Sequence, residues 1–139
     1  MESKVVWKGG MAFIGSAGSG YLIPLDAHKA AGGKELGFQP LQLIAIGLVG
    51  CTGMDVISIL KKKRQEVTDF EVSAEIERAA EHPKVFTNIL ITYKLTGVNL
   101  DRDAVERAVE LSETRYCPAQ AMLEKAAKIS HKIIVREAH

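Results

Sequence analysis

Three short runs open the chain, residues 4–8 (KVVWK), 11–15 (MAFIG) and 21–25 (YLIPL), separated by Gly9-Gly10 and by a glycine-rich joint at 15–20. Runs of this length between glycines predict the strands of a small antiparallel meander. Residues 26–39 (DAHKAAGGKELGFQ) lose periodicity and gain glycine, which predicts a loop, and Pro40 suits the first position of a helix. Twenty largely apolar positions follow from Leu41 to Leu60, with Asp55 the one formal charge, before KKKR at 61–64. Two alternating segments come next. One places Phe70, Val72, Ala74 and Ile76 on one face; the other does the same with Val85, Thr87, Ile89, Ile91 and Tyr93, and 79–84 makes a hairpin connection. Asp101 is a good N-cap for a second helix that stops near Tyr116, with Asp103 in its first turn and a core stripe of Ala104, Val105, Ala108 and Val109. Pro118 opens a third helix over 118–128, and 129–137 (ISHKIIVRE) closes the chain as a strand. The order predicts one α+β domain over 1–139 rather than a doubly wound one.

The apolar helix matches a membrane span by length and by its basic flank. Strands on both sides need a soluble core, however, and a span would have to carry Asp55. A helix that is apolar nearly all round is expected at the centre of a domain or at a subunit interface, so no membrane role is expected. Gly47, Gly50 and Gly53 weaken this helix, which suggests close approach of another backbone or a ligand. The KKKR block complements the helix dipole.

Composition narrows the partners. With 139 residues, 47% hydrophobic and 25% charged, the chain has the content of one globular domain, and its net charge of +1 makes nucleic acid an unpromising partner. The start, MESKVVWKGG, has no signal-peptide pattern, so a cytoplasmic location is expected. The motif GSAGSG is followed by YLIPL and not by a helix, which argues for a turn over a phosphate loop. His28, His82, His131 and His139 are scattered without ligand spacing, GxSxG is absent, and neither a metal nor a cofactor is expected.

The chemistry that remains is thiol chemistry. Cys51 lies in the glycine-rich part of the long helix, with Asp55 one turn on, and by itself reads as a small inert core residue; Asp55 could pair with a cation. Cys117 occupies the N-cap of the helix opened by Pro118, where free amides and the helix dipole favour an anion, and Arg115 could add to that. Local physics therefore ranks Cys117 as the better thiolate.

GCTGMDVISIL on the long helix, followed by YCPAQAML after two strands and a helix, resembles the OsmC/Ohr superfamily of thiol-dependent hydroperoxide reductases. The resemblance covers nearly the whole chain. It implies antiparallel sheets around a long central helix in an intertwined homodimer. It also implies that Cys51 attacks an organic hydroperoxide and becomes a sulfenic acid, that Cys117 resolves it as a disulfide, and that an external thiol or dithiol reduces the product. This reverses the local ranking of the two thiols. An apolar wall of Ile44, Leu48 and Met54 would favour organic over inorganic peroxide. Active members of the family use a loop arginine held by a helix glutamate. Here Gln42 stands at the matching helix position and the loop has no arginine; His28, Lys29, Lys34 or Arg115 are the substitute cations. The competing reading is a non-catalytic dimer on the same fold that binds a small apolar ligand or acts as a slow redox sensor.

Overall fold

The alternation and glycine joints of the first segment produce β1 (Ser3–Trp7), β2 (Phe13–Ala17) and β3 (Leu22–Leu25), an antiparallel sheet in that order. The computed structural model describes residues 1–139 as two compact units, Met1–Ile46 and Gly47–His139. In the first unit, Gly9 and Gly10 turn the chain between β1 and β2 with φ of 98° and 56°, values that glycine adopts without a Cβ penalty. The loop that follows is organised by Asp26, whose buried carboxylate accepts backbone N–H groups from Ala27, Lys34 and Leu36 at 2.8, 3.2 and 3.3 Å. Pro40 then opens α1 (Pro40–Lys62) as expected.

The second unit is built on β4 (Glu66–Arg78), β5 (Phe86–Val98) and β6 (Lys128–Glu137), with β5 in the middle. β4 and β5 form an antiparallel hairpin. Of the expected inward face Ile89, Ile91 and Tyr93 are buried, and Leu95 extends it, opposite the half-buried Phe70, Val72, Ala74 and Ile76. Val85 and Thr87 depart from it, and the Thr87 hydroxyl donates to the Glu77 carbonyl at 3.1 Å in an exposed contact. A β-bulge between Glu77 and Arg78 leaves Thr87 unpaired, so Phe86 is buried in place of Val85, which is exposed before the strand begins. A second departure concerns the all-antiparallel expectation, because β6 pairs with β5 in parallel. The intervening helices supply the long crossover that a parallel pair requires.

That crossover starts with α2 (Arg102–Leu111), capped by Asp101, whose Oδ1 accepts from the Asp103 N–H at 3.0 Å. Its predicted stripe, Ala104, Val105, Ala108 and Val109, is buried. The chain then widens into one turn of π-helix at Ser112–Tyr116 before α3 (Pro118–Leu123). α3 is shorter than expected because the chain enters the sheet at Lys128, paired with Asn88.

Within this unit α1 is buried along a single stripe of four-residue spacing, Leu48, Thr52, Val56 and Leu60, each with no exposure. A Cβ on Gly53 would sit 3.3 Å from the Val72 side chain, so the helix presses on β4 there. At Gly47 and Gly50 a Cβ would meet nothing within 4 Å, and Met54 is 74% exposed. The helix is long and apolar enough to cross a membrane. It is nonetheless tied to the sheet by a polar contact, Thr52 Oγ1 to Tyr93 Oη at 2.8 Å.

Candidate functional site

α1 carries Cys51 and Thr52 side by side with Asp55 one turn on, and the crossover brings Ser112 against Thr52 and Asp55 and Cys117 against Cys51. The sulfurs of Cys51 and Cys117 and a carboxylate oxygen of Asp55 all lie within 4.8 Å of one another. Both cysteines are free; Cys51 is half-buried and Cys117 is buried. Sixty-six positions of sequence separation are thus closed to neighbouring side chains. The trio offers three donors, one fewer than a closed structural zinc site takes, and we read it as a thiol pair with a carboxylate.

Cys117 takes the N-cap position foreseen for it, with Pro118 at the helix start and the Gln120 N–H donating to its sulfur at 3.3 Å. The expected thiolate preference does not follow. Burial pushes the Cys117 thiol up to about 11; the Gln120 amide opposes this shift, and the adjoining Cys51 adds to it. Six residues of helix offer too little dipole to offset the desolvation.

The supporting residues are placed differently from expectation. Asp55 accepts from the Ser112 hydroxyl at 2.9 Å, a neutral partner in place of a cation. Arg115 is exposed and stacks over the Tyr116 ring at 5.7 Å, so it gives no charge to the thiols in this chain. Gln42 accepts from the backbone N–H of Gln39 at 2.9 Å, which makes it half of a capping box at the start of α1. Leu48 is wholly buried in the core stripe and cannot line a substrate wall, whereas Ile44 and Met54 are exposed.

Beyond these lies a set of side chains that the sequence reading did not single out. Thr52 Oγ1 is 2.7 Å from Ser112 Oγ and 2.8 Å from Tyr93 Oη. Tyr93 donates to Glu113 Oε2 at 2.7 Å, and His131 Nδ1 lies 2.8 Å from Glu113 Oε1. Thr52, Ser112 and Tyr93 have no solvent exposure. Burial, reinforced by the Glu113 carboxylate, pushes the Tyr93 hydroxyl far above its ordinary range, so it remains a neutral donor. The π-turn is what aims Ser112 inward and Glu113 at Tyr93; such turns recur at functional sites. A threonine in an otherwise aliphatic four-residue stripe, and a tyrosine on a core-facing strand position, are the sequence signals for this network, since both hydroxyls need partners when buried.

Residues 32–132 match the OsmC-like protein family. The chain belongs to that family. It is 40% identical over 131 residues to Protein YhfA of Escherichia coli K12, a match spanning 94% of this chain and 95% of that protein. Among solved structures, a hypothetical protein of Aquifex aeolicus VF5 superposes with a TM-score of 0.87 at 29% identity, over 99% of this chain and 97% of the other. The organic hydroperoxide resistance protein OhrB of Bacillus subtilis shares the fold of this OsmC-like chain, with a TM-score of 0.63 at 22% identity over 96% and 98% of the two chains.

The raised Cys117 thiol predicts a pH profile. In mapped alkylation of the reduced protein with iodoacetamide, the rate at Cys117 should climb about tenfold per pH unit from pH 7 to pH 10, following the thiolate fraction. A plateau below pH 9 would contradict the placement of Cys117 as a desolvated thiol.

Proposed function

We propose that this OsmC-like chain is a two-cysteine hydroperoxide reductase. The observation that carries the reading is the clustering of the Cys51 and Cys117 sulfurs with the Asp55 carboxylate within 4.8 Å. The Cys51 thiolate sulfur attacks the terminal peroxide oxygen, the O–O bond breaks, sulfur is oxidised to the sulfenic acid, and the alkoxide leaves as an alcohol after taking up a proton. The Cys117 sulfur then attacks the Cys51 sulfur, the S–O bond breaks, water leaves, and a disulfide forms that an external thiol or dithiol reduces. The roles follow burial. A half-buried Cys51 can meet a substrate, and a buried Cys117 held as thiol is suited to waiting for the sulfenic acid. Family membership supports a redox or peroxide-resistance role, and the exposed, apolar Met54 beside Cys51 suits an organic hydroperoxide in a cytoplasmic setting.

The second reading, a slow redox sensor or an apolar-ligand binder, is favoured by one specific feature. Gln42 is neutral and Arg115 stacks outward on Tyr116, so the arginine–carboxylate pair of active family members has no counterpart in these residues. Intact mass after one equivalent of cumene hydroperoxide separates the readings. The reductase should lose two hydrogens, mapped to Cys51–Cys117, and consume peroxide steadily in excess dithiol until Cys51→Ser abolishes turnover. Two unreacted thiols would defeat it.

The same reading includes a homodimer. The open faces at Gly47 and Gly50 and the exposed Met54 give the second unit's part of α1 an apolar surface suited to a second copy of the chain. Guanidinium unfolding should then shift to higher midpoint as protein concentration rises, with sedimentation at twice the chain mass. A concentration-independent monomer would overturn the dimer.

A further inference from the structure

Four oxygen–oxygen contacts run in series between two carboxylates. From Asp55 Oδ2 to Ser112, Ser112 to Thr52, Thr52 to Tyr93, and Tyr93 to Glu113 Oε2 the distances are 2.9, 2.7, 2.8 and 2.7 Å. Oxygens this close need a hydrogen between them. The three hydroxyls bring one hydrogen each, and an ionised carboxylate can only accept. With both carboxylates ionised, one contact would be left as two lone pairs facing each other in an interior shielded from bulk solvent, since Thr52, Ser112 and Tyr93 have no exposure. One additional hydrogen on either carboxyl completes the chain. If Glu113 carries it, every group donates toward Asp55; if Asp55 carries it, every group donates toward Glu113. The two arrangements differ by one concerted shift, in which each of the four hydrogens crosses its own contact and one proton's worth of charge passes along the chain.

We propose that this chain is a proton relay, in which one mobile proton shared between Asp55 and Glu113 links the thiol pair to the surface through His131. The relay rests on the hydrogen count for its existence and on the hydroperoxide-reductase reading for its use. At the outer end, His131 Nδ1 contacts Glu113 Oε1 at 2.8 Å, with 39% of the His131 side chain and 11% of the Glu113 side chain exposed. His131 borders an open surface hollow with Arg102, Glu106, Glu110 and Lys132, and Arg102 is already paired with Glu106. An imidazole can take a proton from water at one nitrogen while releasing one at the other. The Glu113 carboxyl can likewise receive on Oε1 and pass a proton to Tyr93 from Oε2.

At the inner end, the titratable groups facing Asp55 are Cys51 and Cys117. In the first step the Asp55 carboxyl gives its proton to the departing alkoxide, which becomes the alcohol. Ser112, Thr52 and Tyr93 then turn to donate toward Asp55, and a proton passed from His131 to Glu113 fills the Tyr93–Glu113 contact, which leaves Asp55 a carboxylate. In the second step the Asp55 carboxylate takes the Cys117 thiol proton and passes it to the hydroxide leaving Cys51, so that water departs and the S–S bond closes. This gives the raised Cys117 thiol a base at the moment it must act.

Infrared spectra of the reduced protein at neutral pH test the hydrogen count without any turnover. A protonated-carboxyl band, shifted in D2O, is expected in the wild type and should vanish in Tyr93→Phe, which leaves two contacts for two hydroxyls. It should vanish equally in Glu113→Gln, whose amide supplies the missing hydrogen and keeps every contact, so this variant serves if Tyr93→Phe fails to fold. In parallel, single-turnover disulfide formation with cumene hydroperoxide should slow ~10-fold or more in both variants and lose its solvent deuterium isotope effect. A folded wild type without the band overturns the relay, as does Glu113→Gln at full rate with an unchanged isotope effect. A band in a wild type that forms no disulfide would uphold the shared proton and defeat the reductase reading; a disulfide without the band would do the reverse.

Discussion

The Thr52 hydroxyl is the constraint on which the rest of this site depends. It stands in a buried stripe with Leu48, Val56 and Leu60, where an unpartnered hydroxyl would cost ~1–3 kcal/mol. Its partners are Tyr93 on β5 and Ser112 on the π-turn, and those two contacts fix the helix to the sheet and the crossover to the helix. With Ser112 held, Asp55 is held. With the π-turn held, Cys117 follows five residues later against Cys51. Hydrophobic burial gives α1 its place on the sheet, but the hydroxyl selects the rotation and register that bring two thiols and a carboxylate together.

The competition between local and tertiary effects is clearest at Cys117. Its N-cap position and the proline after it are the features that lower a thiol's pKa at a longer, more open helix. Here the helix runs for six residues and the sulfur is buried, so desolvation wins. The outcome agrees with a division of labour in which the accessible thiol reacts first and the protected one second.

What could be read in the sequence was periodicity and capping. The Ala104, Val105, Ala108 and Val109 stripe, the Asp101 cap, the Pro40 and Pro118 starts and the inward face of β4 all follow from local rules, and all are present. Val85 and the parallel pairing of β6 were not legible, because a bulge and a crossover direction depend on partners distant in sequence. The cysteines and Asp55 could be named from motif and spacing. Ser112, Glu113 and His131 could not, since a π-turn in a helix that otherwise obeys its pattern has no periodic signature, and the joining of His131 to Glu113 depends on the path of the crossover. Arg115 illustrates the converse: adjacency in sequence to Cys117 suggested a role, and the π-turn points it outward onto Tyr116.

In the proposed reductase, this hydroxyl brace holds the Cys51 and Cys117 sulfurs as a reacting pair. An equilibrium redox titration of the Cys51–Cys117 couple in dithiothreitol buffers, comparing wild type with Thr52→Val, addresses it directly, because valine keeps the shape and removes both hydrogen bonds. A disulfide is expected that forms readily in the wild type and whose equilibrium constant falls ~10-fold or more in the variant, the equivalent of about 1.4 kcal/mol of lost positioning. Equal titrations in two folded proteins would show that packing alone sets the pair, and would contradict it.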